Sequence, residues 1–441
     1  MSEAPPATKP APIWKNPTVS RLLLVALFAE IGYAVLNIST MPVYLSYDRN
    51  FGASSAVYVF CGFLFAEAAM KGPMGHLADR VGSRRLMMLA PLLTVCTAIA
   101  SLFVPHFDPK VGEPIEVFIF IVLRLIDGVG AAMLWPAAFA LMGNSVSDAK
   151  RQEAMSLLNM CYLVGVALAL PIGGIVEDST GSILAKAGIG SHAGGIILAA
   201  ILFGLVSLTV SRVVHIDAKP IHDEAHAGGG FKDLVKTWKQ IPSYLLLAVL
   251  TFAGIGFPMG IIKIIAQDEF KLTATQFGAL VMPGAIAMAL FSVPISKIGE
   301  RIGRARAVHI GMFSCAIGIS LLSLGAFFEF FRTPWILALG GIPVGLGFLL
   351  TIPAWLASVS DINPSKRAAN IGAVMTAQGV GAMIGAPLGG NAYEKLVPVG
   401  KGLGMSDEAA VHFSHFSPFI GTAVCIWLAW LIGLRILRDP R

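Results

Sequence analysis

Gly75-His76-Leu77-Ala78-Asp79-Arg80-Val81-Gly82-Ser83-Arg84-Arg85 joins two long apolar runs and carries four charges. Its glycines, Gly75 and Gly82, permit close backbone approach or dihedrals closed to other residues. Asp79 can accept hydrogen bonds from helix-end N–H groups or pair with an arginine. Arg80, Arg84 and Arg85 would hold a loop on the cytoplasmic face of a membrane. The stretch reads as a short charged turn with a membrane span on either side.

Composition agrees. Of 441 residues, 56% are hydrophobic and 13% charged, and the mean hydropathy is +0.75. A soluble chain is about a quarter charged, so the lipid bilayer is the main solvent of this one. The net charge of +6 is scattered over loops and forms no stripe, which argues against a nucleic-acid partner. Cys61, Cys96, Cys161, Cys315 and Cys425 all lie in apolar runs. Their odd number and spacing fit packing residues, with neither disulfides nor a metal site. The first apolar run is long enough to span and does not resemble a cleavable signal peptide.

Twelve apolar segments of spanning length are expected at about 20–45, 53–75, 86–105, 115–143, 153–176, 192–214, 243–265, 275–297, 307–331, 334–359, 368–392 and 414–437. Lys and Arg concentrate in both tails and in alternate loops, as at Lys150-Arg151 and Lys366-Arg367, which places both termini in the cytoplasm. The chain then divides into a flexible N-terminal tail (1–18), a six-helix bundle (19–214), a cytoplasmic linker (215–241), a second six-helix bundle (242–437) and a short C-terminal tail (438–441). The linker histidines, His215, His222 and His226, have no closed metal-site spacing. Residues 231–240 fit a short amphipathic helix at the membrane surface.

The halves repeat. Gly165, Pro171, Gly173 and Gly174 meet Gly381, Pro387, Gly389 and Gly390 at an offset of 216. Gly128, Gly130 and Pro136 meet Gly345, Gly347 and Pro353 at 217, and Asp79-Arg80, Gly82 and Arg85 meet Glu300-Arg301, Gly303 and Arg306 at 221. The expected fold is an all-α integral membrane protein with twelve transmembrane helices in two pseudo-symmetric six-helix bundles. A substrate cavity is expected between them near the midplane.

Gly75–Arg85 matches G-x-L-a-D-r-x-G-r-r, and in this it resembles the cytoplasmic loop signature of the major facilitator superfamily. Arg124-Leu125-Ile126-Asp127-Gly128-Val129-Gly130 is similar to that family's R-x-x-x-G-x-G. Leu170-Pro171-Ile172-Gly173-Gly174 partly resembles its exporter signature G-P-x-x-G-G, and Gly385-Ala386-Pro387-Leu388-Gly389-Gly390 has the same shortened spacing. Glu30 in the first span, followed by Met41-Pro42-Val43-Tyr44, looks like the drug/proton antiporter branch, whose members export drugs or sugars. With the repeat, the resemblance covers essentially all twelve spans.

The resemblance implies a conformational gate at Gly75, Asp79, Arg80, Gly82, Arg84, Arg85, Glu300 and Arg301. The small residues and prolines at Pro171, Gly173, Gly174, Pro387, Gly389 and Gly390 suit a hinge or close packing. Proton coupling falls to intramembrane charges, which are costly and hence functional by default. Glu30 is the first choice. Arg124 and Asp127, three apart on one helix face, either secure packing as a pair or exchange partners during a cycle. Most relatives carry a neutral residue at the Asp127 position. Glu67 can couple or recognise a cation, or form an i, i+4 pair with Lys71. Lys263 either snorkels to the outer interface or faces the cavity and favours anionic groups. Tyr33, Asn37, Trp135, Asn159, Tyr162, Met259, Trp355, Met375 and Gln378 complete the substrate-site candidates.

These observations imply a multi-pass cell-membrane (inner or plasma) transporter, not an enzyme: there is no nucleophile–base arrangement, no metal-ligand cluster and no G-x-x-x-x-G-K-[ST] nucleotide loop. No cofactor is expected, with a proton gradient as the energy source. The expectation is a monomer that exports small amphipathic molecules by alternating access. The alternatives are a proton- or sodium-coupled uptake symporter and a lipid or lysolipid flippase of the same fold.

Overall fold

The computed structural model describes residues 13–107, 113–212, 241–362 and 367–437. Among them are twelve long helices: α1 Pro17–Asp48, α2 Ala53–Val81, α3 Ser83–Leu102, α4 Glu113–Asn144, α5 Asp148–Lys186, α6 Gly194–Ser211, α7 Pro242–Met259, α8 Ala274–Ile302, α9 Arg304–Ser323, α10 Pro334–Ile362, α11 Arg367–Lys395 and α12 Asp407–Ile436. Ten are long and apolar enough to cross a membrane. The other two, α8 and α11, both pack on the opposite half.

The two halves pack alike. In the first, α1 lies on α5 and α6, α4 on α2 and α3, and α3 on α6. Adding six to every number gives the packing of the second half. The halves meet where α5 lies on α8 and α2 on α11. Each half has its own apolar core, around Leu22, Trp135, Leu141 and Phe203 in the first and Leu247, Val308, Trp355 and Val359 in the second.

Local chemistry explains the helix ends. Asn16 caps α1, its side chain accepting the Thr18 N–H at 2.9 Å, and Pro17 sits where its missing N–H costs nothing. Further along, α1 loosens into π-helical turns over Val35–Thr40 and Tyr44–Asp48, on either side of Pro42. Proline removes one hydrogen-bond donor, and wider turns accommodate the misfit.

The structure corrects several boundaries. The turn expected over residues 75–85 is much tighter: α2 runs helically through Gly75 to Val81, and Gly82 alone reverses the chain, at φ 98°. Gly303 repeats this between α8 and α9, at φ 96°. Helix α5 runs from 148 to 186, well beyond the apolar core expected at 153–176, because its ends are polar. The seventh span stops at Met259, after Pro258, and resumes as a short helix, Ile262–Asp268. The first helix starts inside the expected tail, at Pro17. Residues 213–240, with the linker histidines and the stretch 231–240, lie outside the described residues, as does the C-terminal tail.

Candidate functional site

A cavity of about 440 Å³, its open mouth included, lies against the first half. Helical periodicity builds it. Glu30, Tyr33, Ala34, Asn37 and Ile38 form one face of α1, and Phe60, Phe63, Leu64 and Glu67 one face of α2. Trp135 of α4, Tyr162 of α5 and Met259 of α7 complete the lining. All but Met259 come from the first half.

Glu30 is buried, 6% exposed, and shares the cavity wall with Tyr162 of α5. It fits because α5 comes close at Gly165: a Cβ there would lie 2.7 Å from the Glu30 Cβ. Aromatic rings wall the acid. Tyr33 packs on Phe63 and Phe203, with ring centroids 5.7 and 4.5 Å apart, and Trp135 meets Tyr162 edge-on at 5.1 Å. Glu67 pairs with Lys71 at 2.9 Å. The Lys71 side chain is 49% exposed, so this pair is weak and its cation easily displaced. Ala68, next to Glu67 on α2, is exposed.

Behind the cavity lies a second charged group. Arg124 and Asp127 pair at 2.9 Å with both side chains fully buried, and Arg124 also donates to the Ser101 hydroxyl at 3.2 Å. Asn37 stands between this pair and the cavity, its amide nitrogen 3.5 Å from Asp127. Asp127 Oδ1, Asn37 Oδ1 and Arg124 Nε have no hydrogen-bond partner among the described residues. Removing one member of such a pair costs about 3–5 kcal/mol, because the other charge stays buried.

Lys263 does not snorkel and does not line the cavity. It is 1% exposed, with its ammonium 2.5 Å from Glu177 of α5 and 3.3 Å from the Ser39 hydroxyl of α1. The pair crosses from one half to the other. Tyr47 and Tyr393, from opposite halves, both donate to Asp268. Among the described residues, these hydrogen bonds between the halves lie at the end away from the termini.

Of the other substrate-site candidates, Trp355 is buried in the core of the second half, Met375 is exposed and Gln378 is partly buried, and none of them lines the cavity. The Asn159 side chain lies outside the described residues, as do those of Asp79 and Glu300. Arg80, Arg85 and Arg301 are exposed. Arg84 donates to the carbonyl of Ser211, tying the start of α3 to the end of α6. Pro171 meets Gly278 and Gly174 meets Ala274, both across the halves, whereas Gly389 meets Phe257 within the second half. Sequence reasoning missed Phe60, Phe63 and Glu177. Stepping back from Glu67 by three or four residues finds the two phenylalanines. Glu177, one turn past Gly173, stands out as a further acid in a span.

The profile of the Major Facilitator Superfamily matches residues 22–261 and 244–397. Multi-drug resistance efflux pump PmrA of Streptococcus pneumoniae is 26% identical over 415 residues, 90% of each chain. Chloramphenicol resistance protein CraA of Acinetobacter baumannii is 21% identical over 334 residues, 73% of this chain and 74% of that one. Multidrug resistance protein B homolog of Mycobacterium tuberculosis is 22% identical over 426 residues, 93% of this chain and 66% of that one. Among solved structures, a bacterial homolog of the human lysosomal transporter Spinster, in its inward-facing, unoccupied conformation, superposes with a TM-score of 0.71 at 14% identity, covering 98% of this chain and 100% of that one. Nucleoside transporter NupG also gives 0.71 at 14% identity, covering 95% and 99%. The structural likenesses show the fold, and the profile, spanning both halves, shows that the chain belongs to the major facilitator superfamily, a family of membrane transporters.

Proposed function

We propose that this transporter exports small amphipathic cations in exchange for protons, by alternating access. The observation that carries this reading is the cavity: two carboxylates, Glu30 and Glu67, set among Tyr33, Phe60, Phe63, Trp135 and Tyr162. Carboxylates attract a cation, aromatic faces attract both its charge and its apolar body, and a wall with few directional donors discriminates little between shapes. Glu30, buried beside Tyr162, is the proton carrier; a cation arriving beside it favours loss of the proton, and reprotonation favours release of the cation. Glu67 offers the first contact, its weak partner Lys71 giving way. The relatives named for multidrug resistance support export. With the termini in the cytoplasm, as the Lys and Arg distribution indicates, the end drawn together by Lys263–Glu177 and Tyr47–Asp268 is the outer one, which supports a cavity that opens inward.

The test is proton movement in proteoliposomes with an imposed pH gradient. Tetraphenylphosphonium, a neutral sugar and a lysolipid are added in turn to wild type and to Glu30→Gln. Tetraphenylphosphonium is expected to trigger proton flux in wild type, and the variant to lose about 10²-fold, the scale of removing a proton-transfer group. Flux driven by the sugar or lysolipid alone would overturn the substrate class, and full flux in Glu30→Gln would remove that residue from coupling.

A further inference from the structure

Two carboxylates outside the cavity occupy equivalent places in the two halves. Asp178, on α5, accepts the backbone N–H of Thr275, the second residue of α8, at 2.9 Å. Glu394, on α11, accepts the backbone N–H of Ser54, the second residue of α2, at 3.1 Å, and its hydroxyl at 2.5 Å. Asp178 and Glu394 are 216 positions apart, and Ser54 and Thr275 are 221 apart, the same offsets that relate the halves throughout the sequence. Each contact crosses from one half to the other.

The backbone beneath each carboxylate supports the same contact. One turn before Asp178, Gly174 lies so close to the α8 start that a Cβ would be 2.3 Å from the Ala274 carbonyl oxygen. One turn before Glu394, a Cβ on Gly390 would be 3.3 Å from the Ser54 Cα. Helix N-termini expose unpaired N–H groups and a positive partial charge, which a carboxylate satisfies. The N-cap residue of α2, Gly52, has no side chain to offer, so its cap comes from the opposite half.

We propose that Asp178 and Glu394 form a duplicated clasp that holds shut the end of the transporter away from its termini, and that both contacts part when the halves rock open there. This rests on the alternating-access reading. The two contacts share no residue, so their effects add.

The experiment uses the full chain in lipid nanodiscs, its native cysteines replaced by serine, with spin labels at Lys186→Cys and Glu408→Cys, exposed positions of the two halves at that end. Pulsed EPR then reads the distance distribution with and without tetraphenylphosphonium, at two pH values. Asp178→Ala and Glu394→Ala are each expected to raise the long-distance population about two- to fivefold, and the double variant by the product. Asp178→Glu is expected to remain near wild type. Wild type that samples both distances beside an unshifted double variant would overturn the clasp and leave alternating access standing. A single short distance in wild type under every condition would overturn both.

Discussion

Gly82 shows how much a single residue decides. With φ at 98°, it holds a backbone conformation that side chains with a Cβ avoid, and no atom lies within 4 Å of where that Cβ would stand. The demand is therefore conformational rather than spatial, and substitution costs about 1–3 kcal/mol. Gly72 is also free of neighbours within 4 Å but is helical, where alanine is favoured by up to about 1 kcal/mol. Gly82→Ala is expected to lower the melting temperature of the purified protein, and Gly72→Ala to leave it unchanged or raise it. Equal melting temperatures for the two variants would mean that the corner relaxes without strain. The sequence showed both glycines of Gly75–Arg85 but not which one turns the chain, since Gly75 and Gly82 look alike until a helix runs through one and stops at the other.

At the scale of elements, Gly165 sets how closely α5 approaches α1, and thereby where Glu30 sits. An added methyl would press on the Glu30 Cβ from 2.7 Å and displace the carboxyl within the cavity. Gly165→Ala is expected to push α5 off α1, because a Cβ moves only with its backbone and the Ile31 nitrogen is also within 3.2 Å, and to cut proton-coupled flux about tenfold, within the loss expected when a reacting group is misplaced by an ångström. Flux in reconstituted vesicles, with the elution profile as the control for folding, checks this; undiminished flux would detach Glu30's placement from transport. Arg124 and Asp127 were legible as a pair because three-residue spacing puts them on one helix face. Glu177 was not paired with Lys263 in the sequence reading, because 86 residues and an inter-half boundary separate them.

For the whole molecule, the contacts named between halves draw one end together while Lys71 stays half exposed beside the cavity. If the termini are cytoplasmic, Lys71→Cys, in a background without the native cysteines, is expected to react with a membrane-impermeant maleimide in inside-out vesicles and to resist it in right-side-out vesicles. The reverse pattern would invert the orientation and, with it, the direction of transport. The asymmetric cavity also belongs to this scale. Repeated sequence produced repeated packing, but the lining comes almost wholly from the first half. The second half contributes Met259 to the lining, whereas the contacts at the far end draw on both halves.

The amino-acid order by itself determined that the chain lives in lipid, roughly where its spans fall, that its halves repeat and that Glu30, Glu67, Arg124 and Asp127 are charges within spans. Each follows from local quantities: hydropathy, spacing and offset. Only the tertiary structure decided that Glu30 and Glu67 share one cavity, that Lys263 is a buried partner of Glu177, and that Asp178 and Glu394 reach the helix starts of the opposite half. Helical periodicity tells which residues share a face but not what that face meets. In a bilayer, a lipid-facing surface and a helix-facing surface are both apolar, so the pattern that separates inside from outside in water falls silent.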